Sequence, residues 1–423
     1  MRTVRYKGVA FMFAILVAAV AMAEVPEAIL KQAWYPKAPP LPKPAGQVIR
    51  VSSVDDIYRA AKNLQPGSTI LVADGHYMMT HTLYIKSDNA TLRSESGDRT
   101  KVVLDFAKSR HGEGVAISYA CGVTIASLTV QNVSQNGIKI NSNLKVHSTT
   151  IYNVISHNVW QRHIKGPKVP DKDGQPQWVN ACRVQYCLFY NDRPKQHGDD
   201  PWEDGNRGSQ MGYNYVGGMD IMSANEWTIS DNVFIGIHGK TGECRGAIFM
   251  WQNSKNCIIE RNIFIDCDTG IALGNSSGRR ERRHCSNFVV RNNFVTRCPE
   301  SNILADHTRD CKIINNTVHD PKNRMRRLIR VIHANDGLVV KNNIFSGPGV
   351  SIEKYTGNID IDNNVIKPVS GYFVDPAMGN LHLTEKAGLA IDKALVLNEV
   401  TDDIDRGQRS RKPDIGADEL GLN

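Results

Sequence analysis

Residues 256–275 read NCIIERNIFIDCDTGIALGN, in which an Asn separates two apolar runs and a Gly begins a further apolar strand. The same phrase recurs in the second half of the chain, as WTISDNVFIG (227–236), NFVVRNNFVTRCPESNILAD (287–306), CKIINNTVHD (311–320), LVVKNNIFSG (338–347) and IDIDNNVIKP (359–368). Self-similarity at a short period is the sequence signature of a solenoid, in which each unit buries its apolar face against its neighbours. The repeat is therefore the basis of the fold prediction.

The second Asn of each phrase gives a common anchor, and successive anchors are 21 to 31 residues apart. The anchors are Asn232, Asn262, Asn293, Asn316, Asn343 and Asn364, with Asn153 and Cys187 as weaker ones upstream. The residues five positions before each anchor are apolar or small, as an inward-facing stack requires: Trp227, Cys257, Phe288, Cys311, Leu338 and Ile359. Asn suits a bend because it tolerates left-handed backbone and because its amide forms hydrogen bonds along a stack.

Each repeat also contains a short strand with alternating apolar residues, such as GMDIM (218–222) and GIALG (270–274). Alternation places one side of such a strand inward and the other outward. Short strands, coils of this length and Asn at the turns predict an all-β protein, a right-handed parallel β-helix with two or three strands in each rung. A leucine-rich repeat is the alternative solenoid, but its Leu-x-x-Leu-x-Leu spacing is absent.

By composition the chain divides into a signal peptide (1–23), a Pro-rich lead-in (24–47), the β-helix with its N-terminal cap (48–370) and a closing segment (371–423). The signal peptide is indicated by Arg2, Arg5 and Lys7, which precede a short apolar run that ends in a small-residue cleavage site. No later stretch is long and apolar enough to span a membrane, so we expect a secreted or periplasmic protein without an integral membrane segment.

The cap is predicted because an open β-helix would expose unpaired strand edges. Ser53 and Asp56 have the spacing of a capping box at the start of a helix. The apolar stripe of this helix comprises Ile57, Ala60, Ala61 and Leu64. Pro66-Gly67 ends the helix, and TILVADGHY (69–77) reads as the first strand.

The formal net charge is +8, with basic patches at GRRERRH (278–284) and KNRMRR (322–327). An exported basic protein favours acidic glycans or anionic surfaces, and solvated loop charge is the alternative for either patch. We do not expect nucleic acid as a partner, because the basic runs are not interleaved with stacking aromatic residues.

The chain has nine cysteines, so at least one lacks an internal partner. Cys257 and Cys311 fall at core positions of the repeat and are predicted to be free thiols that fill the interior. Cys267 and Cys298 share a register on successive rungs, which allows either a disulfide or a simple stack. No cysteine spacing suggests a zinc site.

Three segments carry a resemblance to known proteins. The helix followed by PGSTILVADGHY (66–77) resembles the start of secreted β-helix polysaccharide lyases, including the chondroitinase B and alginate lyase group. The ending DIGADEL (414–420) and the middle segment that begins at EWTISDNVFIGI (226–237) are similar to bacterial extracellular β-helix proteins. The resemblance implies the fold. It also implies a carboxylate cluster followed by a Lys base and an Arg, and that local motif is absent here.

Long insertions over a rigid solenoid are the expected place for function, and the sequence suggests insertions at 157–180, 191–217 and 238–246. Together with outward-facing strand positions, these loops would line a groove with cations, a few carboxylates and an aromatic platform. The predicted substrate-binding residues are Lys139, Asp220, His238, Trp251 and Arg330.

A groove of this kind suits an acidic polysaccharide. A uronate carboxylate must be neutralised before the C5 proton is acidic enough to be removed, and a Lys, Arg or His of lowered pKa can then act as the general base. The predicted bases are Lys240, His163 and Lys165. The predicted carboxylate clamps are Arg162 and Arg245.

The segment HGDDPWEDG (197–205) contains four carboxylates in six residues: Asp199, Asp200, Glu203 and Asp204. They can hold calcium through oxygen ligands, although the spacing is not that of an EF-hand, and an acidic surface loop is the alternative. Calcium is the one cofactor that the sequence suggests.

We therefore expect an exported, monomeric enzyme that cleaves an acidic polysaccharide by β-elimination. A C5-epimerase would share the proton abstraction, and a glycoside hydrolase would use paired carboxylates. A glycan-binding protein or adhesin would use the same fold without chemistry. The motifs of β-helix polygalacturonases, an Asn-Thr-Asp triplet, a Gly-His-Gly and an Arg-Ile-Lys, are absent.

Overall fold

The computed structural model describes residues 27–202, 213–276 and 283–421. The predicted signal peptide lies outside the described residues. The described chain forms three long parallel sheets, in which each strand pairs with strands one rung above and one rung below. The parallel β-helix predicted from the repeat is therefore confirmed, with three strands in most rungs.

Within the described residues, sheet I has twelve strands. They are Val48–Val51, Thr69–Val72, Thr91–Ser94, Thr124–Ala126, Thr150–Tyr152, Arg183–Gln185, Thr228–Ser230, Ile258–Glu260, Val289–Arg291, Lys312–Ile314, Leu338–Lys341 and Ile359–Asp362. Sheet II has eleven described strands. They are Gly75–Met78, Val102–Asp105, Thr129–Val133, Ile155–Val159, Leu188–Tyr190, Val233–Ile235, Ile263–Ile265, Phe294–Thr296, Thr317–His319, Ile344–Ser346 and Val365–Ile366.

Sheet III is the largest, with fourteen described strands. Ten form its main column: Leu83–Ile85, Glu113–Ile117, Asn136–Ile140, Arg162–Gly166, Gly217–Met222, Ile248–Trp251, Thr269–Leu273, Ser301–Arg309, Ile329–Asp336 and Ser351–Thr356. Four two-residue strands join it at one side: Val179–Asn180, Ala224–Asn225, Ser254–Lys255 and Cys285–Ser286. An antiparallel pair, Phe373–Asp375 with Asn380–Leu383, follows the last rung.

The anchor asparagines form a continuous buried ladder. Each side-chain amide donates to the Oδ1 of the next anchor, for example Asn232 to Asn262 at 2.9 Å and Asn262 to Asn293 at 3.0 Å. The left-handed residue at the corner is the one before the anchor, such as Arg261 with φ 52°. Sequence reasoning assigned both roles to one Asn, and the structure divides them between two neighbours.

The upstream anchors extend this ladder with one correction. The backbone N–H of Cys187 donates to Asn232 Oδ1 at 2.9 Å, so Cys187 occupies an anchor position as predicted. The next anchor is Val154, because its N–H points to Cys187 Sγ at 3.4 Å, whereas Asn153 is the left-handed residue before it, with φ 52°.

The N-terminal cap agrees with the sequence except for the first strand. The helix spans Val54–Lys62, and the Oγ of Ser53 accepts from the backbone N–H of Asp56. Strand Val48–Val51 precedes the helix and pairs with Thr69–Val72. The predicted strand 69–77 is two strands that belong to sheets I and II, because the chain turns a corner at Ala73 and Asp74.

The described part of the lead-in and the closing segment both pack against the outer face of sheet II. One apolar cluster joins Ile29 and Tyr35 of the lead-in to Phe294 of the sheet and to Leu381 of the closing segment. Burying this face is favourable because it removes apolar area from water, at about 25 cal/mol per Å². The outer face of sheet III is not part of this cluster.

The loops that border sheet III differ from the predicted insertions. The segment 157–180 contains strand Arg162–Gly166, and the loop that follows it is confined to residues 167–178. The other two predicted insertions, 191–217 and 238–246, come before strands Gly217–Met222 and Ile248–Trp251, and residues 203–212 of the first lie outside the described residues. All nine cysteines are free thiols, so Cys267 and Cys298 form a stack and no disulfide. Among the described residues, no helix has the length and apolar character of a membrane span.

Candidate functional site

A column of outward-facing residues follows the middle of sheet III. In strand order the paired positions are Tyr84, Ala116, Lys139, Lys165, Asp220, Phe249, Ala272, Leu304, Arg330 and Ser351. Its apolar middle is flanked by Lys139, Lys165 and Asp220 on one side and by Arg330 on the other. Phe249, Ala272, Leu304 and Ile332, with Trp251 beside them, form an apolar cluster separate from the main core.

At one end of the column, three predicted site residues converge on Asp220. Its Oδ2 lies 3.1 Å from Arg162 Nε and 2.5 Å from Lys165 Nζ, and its Oδ1 accepts from Trp251 Nε1 at 3.0 Å. Burial alone would raise the pKa of the Asp220 carboxyl, but Lys165 and Arg162 hold it below its ordinary value. Asp220 therefore stays ionised, and both of its carboxylate oxygens already have partners within the protein.

The predicted groove position of Arg162 is corrected by its burial. Its side chain is 1% exposed, and its guanidinium carbon lies 4.0 Å from the centre of the Tyr215 ring. Lys165 is the more accessible partner of Asp220, at 13% exposure. One rung earlier, Lys139 forms an ion pair with Glu113. This end of the column is an ion-paired surface without a cavity among the described residues that we can assign to a ligand.

His163 lies inside the β-helix, which also corrects its predicted position. Its Nδ1 lies 2.8 Å from Ser156 Oγ, and its ring packs edge-on against Phe189. Burial, together with nearby His157, lowers the pKa of His163 to about 3. A polymer cannot reach this imidazole because no part of the residue is exposed.

A cavity of about 320 Å³ opens over the apolar middle of the column. Phe249 and Leu304 form its floor, and the loop that carries Glu243 and Arg245 borders one side. The remaining lining residues are Asn214, Cys244, Thr269, Gly274, Asn275, Ser276, Glu300, Ser301 and Arg330. The cavity thus brings together two of the predicted site residues, Arg245 and Arg330.

Arg245 has neither an ion pair nor a hydrogen bond within the described part of the chain, although it is partly buried. Burial lowers the pKa of its guanidinium from the ordinary value, and the charge of Arg162 adds to this effect. A cation in this position gains free energy from an anionic ligand, because little of the attraction is spent on a protein carboxylate.

Glu300 and Arg330 form the opposite side of the cavity. Glu300 Oε1 lies 3.0 Å from Arg327 Nη1 and 3.5 Å from Arg330 Nη1, and Glu353 lies 3.5 Å from the other Nη of Arg330. Burial raises the pKa of the Glu300 carboxyl above its ordinary value, even though both arginines act in the opposite direction. The Nε of Arg330 is buried without a hydrogen-bond partner among the described residues.

The loop 238–246 is held by one carboxylate beneath it. Asp268 Oδ2 accepts from the backbone N–H groups of Gly239 and Cys244 at 2.8 and 2.9 Å, and its Oδ1 lies 2.6 Å from His238 Nδ1. His238 is thus a positioning residue of the loop. Lys240 is exposed on the same loop, with its ammonium 4.8 Å from the centre of the Tyr213 ring.

The predicted calcium ligands that the structure describes are paired with cations. Both carboxylate oxygens of Asp199 accept hydrogen bonds from the guanidinium of Arg193, at 2.7 and 2.6 Å. The Oδ2 of buried Asp200 lies 3.3 Å from Lys195 Nζ. Glu203 and Asp204 lie outside the described residues. The calcium site therefore stays a prediction.

Sequence reasoning did not select Glu300 or Leu304. It also did not select three histidines of the same region, His284, His307 and His333. Glu300 follows a Pro in the turn before strand Ser301–Arg309, and its position over the cavity depends on the rung spacing, which single-sequence patterns leave undetermined. The alternating pattern of NILAD does place Leu304 outward, and this was the available signal for an apolar floor.

Comparisons with known proteins found one family model and several solved structures of low similarity. The family model described as periplasmic copper-binding protein (NosD) matches residues 205–371. No curated protein matches the chain. Similar solved structures include an alginate lyase from Paenibacillus sp. str. FPU-7, at 11% identity and a TM-score of 0.39 over 74% of this chain and 99% of that one. Pectate lyase Pel9A has 14% identity and a TM-score of 0.46, over 88% of this chain and 96% of that one. At these identities the likeness concerns the β-helix fold alone.

Proposed function

We propose that this chain is an exported enzyme that cleaves a uronate-containing polysaccharide by β-elimination in the cavity over sheet III. The observation that carries the proposal is Arg245, a partly buried cation that lines the cavity and has no ion-pair partner among the described residues. An anionic ligand supplies the missing partner.

The cavity has the two surfaces that an acidic sugar requires. Arg245 on one side and Arg330 on the other offer guanidinium groups, whose planar geometry suits a carboxylate. Phe249 and Leu304 form an apolar floor between them, against which the carbon face of a sugar ring can pack. Neutralising the uronate carboxylate by Arg245 would make the neighbouring C5 proton more acidic.

We assign the proton transfer to Glu300. A general base works best when its pKa is near the operating pH, and burial raises the pKa of Glu300 in that direction. Glu300 would take the C5 proton, and the electron pair of the C5–H bond would form the C4–C5 double bond as the C4–O bond breaks. Glu300 would then return its proton to the leaving oxygen.

Two of the bases predicted from the sequence, Lys240 and Lys165, are alternatives to Glu300. Lys240 lies on the loop that carries Arg245, and Lys165 lies in the same outward column as Phe249. Both are accessible, whereas His163 and Arg162 are enclosed and have no place in the proposal. The single variants Glu300→Gln, Lys240→Ala and Lys165→Ala therefore identify the base by loss of kcat with KM largely kept.

Hydrolysis is the second candidate, because two carboxylates line the same cavity. Glu243 and Glu300 both border it, and the charge of Glu243 contributes to the raised pKa of Glu300. A pair of carboxyl groups that flank the scissile bond is the arrangement that glycoside hydrolases use.

The deciding experiment follows ultraviolet absorbance while purified protein is incubated with pectate, alginate, chondroitin and dermatan sulfates, and ulvan. We expect a rise from unsaturated uronate ends, and a fall in kcat/KM of about 100-fold for Arg245→Ala. Arg50→Ala is the matched control, since Arg50 is an exposed arginine paired with Glu95 at the N-terminal cap. New reducing ends without absorbance would establish hydrolysis, and neither signal on any glycan would overturn the enzymatic proposal.

Export and calcium complete the proposal. The signal-like N-terminus and the periplasmic description of the matched family support a location outside the cytoplasm. Calcium dependence is tested by chelation, and activity that survives complete removal of divalent ions would exclude it.

The matched family is also described as copper-binding. Among the described residues, His284, Asp306 and His307 offer the nitrogen and oxygen donors that fit such an ion, and no step of the elimination passes through them.

A further inference from the structure

We propose that His284, Asp306 and His307, with His333 at the rim, form a binding site for one divalent transition-metal ion. One ligand atom from each of the first three residues lies within 4.8 Å of the other two. This inference does not depend on the proposed enzymatic function.

The fold brings these side chains together by stacking consecutive rungs. The backbone N–H of His284 donates to the carbonyl of His307 at 2.8 Å, which fixes the two residues on neighbouring rungs. The ring centres of His284 and His307 are 5.3 Å apart, and those of His307 and His333 are 5.2 Å apart. His307 and His333 both have left-handed backbone, with φ 51° and 59°, so each side chain leaves the sheet at a corner.

Asp306 orients two of the three imidazoles. Its Oδ1 lies 2.6 Å from His307 Nδ1 and 2.8 Å from His333 Nδ1. A carboxylate that accepts from Nδ1–H leaves the Nε2 lone pair of a neutral imidazole available for a metal and increases its basicity. This is the supporting contact that histidine ligands commonly have in metal sites.

The second oxygen of Asp306 gives an independent indication of a ligand. Asp306 is fully buried, and its Oδ2 has no hydrogen-bond partner among the described residues. A buried carboxylate oxygen without a partner is costly, and a metal ion beside it would remove that cost. His284 and Asp306 are buried, whereas the side chain of His333 is 43% exposed, so an ion can enter the site from solvent.

The donor set selects the kind of metal. Two or three imidazoles and one carboxylate suit copper, zinc or nickel, whereas calcium and magnesium require mostly oxygen ligands. Copper(II) is expected to bind most tightly, because a site of nitrogen and oxygen donors follows the Irving–Williams order.

The other described histidine and carboxylate group contains a similar carboxylate, since Asp418 Oδ1 is buried without a hydrogen-bond partner among the described residues, but it differs in its one imidazole. His382 lies between Asn380 and Asp405, with Nδ1 2.6 Å and Nε2 2.8 Å from side-chain oxygens, so both ring nitrogens are already engaged. This group joins parts of the closing segment to one another, and it serves as an internal comparison.

The metal site borders the cavity that is proposed to bind the glycan. Strand Ser301–Arg309 carries both Leu304 of the cavity floor and Asp306. Gly274 lines the cavity and packs directly on the Asp306 carbonyl, where a Cβ would clash. Trp251 lies 6.0 Å from His284, measured between ring centres, so its fluorescence reports on an ion bound there.

The test is a titration of chelator-treated, full-length mature protein with copper(II), zinc(II) and calcium(II), followed by calorimetry and by electron paramagnetic resonance for copper. We expect one copper(II) ion per chain with nitrogen hyperfine coupling, quenching of Trp251 fluorescence, weaker zinc binding and no calcium binding at this site. His307→Ala and Asp306→Asn should each weaken copper binding at least 10-fold, and His333→Ala should weaken it less.

His76→Ala is the matched control, because His76 is 54% exposed and also contacts a buried carboxylate, Asp105, at 2.9 Å. Its copper affinity should equal that of the unaltered protein. If His307→Ala unfolds the rung, two other variants still test the site. His333→Ala should weaken copper binding, and Trp251→Phe should remove the fluorescence quenching that copper causes. The proposal is overturned by a stoichiometry near zero, or by copper binding that His307→Ala and Asp306→Asn leave unchanged. Loss of binding in Asp405→Asn alone would likewise overturn it and move the ion to His382.

Discussion

His238 Nδ1 lies 2.6 Å from Asp268 Oδ1, and the other ring nitrogen lies 3.8 Å from Asp266 Oδ2. Burial disfavours the charged imidazole, but the contacts with the carboxylates of Asp266 and Asp268 outweigh it and raise the pKa of His238 to about 10. The imidazolium and the two carboxylates therefore fix the start of the loop that carries Arg245.

This contact makes stability depend on pH above neutrality. Because the folded protein holds the His238 proton more tightly than the unfolded chain, the stabilisation is complete below the unfolded pKa of about 6.5 and is lost as the pH rises towards 10. We expect the free energy of unfolding to fall by about 2 kcal/mol between roughly pH 6.5 and 8.5. Urea unfolding across this range measures the effect.

His238→Gln is the matched variant for this prediction. It should be less stable than the unaltered protein at about pH 6, with a smaller loss of stability on going to about pH 8.5. Parallel stability curves for the two proteins would show that His238 does not hold its proton in this range.

His163 should produce the opposite dependence in acid. Its pKa is lowered to about 3 by burial and by His157, so the folded protein binds that proton more weakly than the unfolded chain. The sign is therefore reversed: stability falls as the pH drops below about 6.5, by about 2 kcal/mol at pH 5. His163→Gln, measured by the same unfolding assay, should reduce that acid-side loss. If the free energy of unfolding of the two proteins falls equally in acid, the result contradicts the burial of a neutral imidazole at His163.

The asparagine ladder should carry a measurable share of stability. Asn262 accepts from Asn232 and donates to Asn293, and it also donates to the carbonyls of Ile229 and Glu260. Asn262→Ala leaves several buried groups unpaired, so we expect a loss of about 2–3 kcal/mol in denaturant unfolding.

A second, partly exposed ladder supplies the control for Asn262. Asn225 donates to Asn180 at 2.9 Å and accepts from Asn256 at 2.8 Å, where water can replace both partners. Asn225→Ala should therefore cost less than about 1 kcal/mol. Equal losses for the two variants would refute the idea that burial gives the inner ladder its strength.

The repeat made the fold predictable, because its signals are local. Apolar residues at fixed offsets from an anchor must face one interior, and Trp227, Cys257 and Phe288 are all fully buried as predicted. Register was harder at the upstream end, where Asn153 resembles an anchor but occupies the left-handed position before it. Identity alone does not distinguish those two roles of Asn.

The site was less predictable because it is built across rungs. Arg245 and Arg330 were predicted as charged groove positions and both line the cavity, while their roles stay a prediction. His163 was misplaced because a strand, Arg162–Gly166, was read as an insertion. In that strand His163 faces the interior, with Nδ1 2.8 Å from Ser156 Oγ, although Lys165 two residues later faces outward, so simple alternation does not predict its position. The approach of Glu300 and Asp306 to their partners depends on rung spacing and loop conformation, which the sequence pattern does not contain.

The cysteines give a simple chemical prediction. Eight of the nine thiols are buried and Cys121 is exposed. Burial raises the pKa of Cys182, Cys187 and Cys311 to about 12, so these groups are both inaccessible and protonated at neutral pH. A thiol-specific chromogenic reagent should modify one cysteine rapidly in the native protein and nine in denaturant, and Cys121→Ser should abolish the rapid phase. Fewer than nine thiols in denaturant would reveal a disulfide.

Asp220 should be among the most sensitive positions of the outer face. It neutralises both Arg162 and Lys165 and is only 3% exposed, so Asp220→Asn leaves two poorly hydrated cations without a counter-charge. Breaking a buried ion pair from one side costs about 3–5 kcal/mol, and we expect a loss of this size in denaturant unfolding.

The combined change Arg162→Met, Lys165→Met and Asp220→Leu separates charge from packing. Replacing all partners by apolar residues of similar size removes the unpaired charges, so most of the stability lost in Asp220→Asn should return. The exposed pair of Arg50 and Glu95 is the comparison, and Glu95→Gln should cost less than about 1 kcal/mol. If the triple variant were as unstable as Asp220→Asn, the hydrogen bond from Trp251 and the shape of the cluster would outweigh its charges.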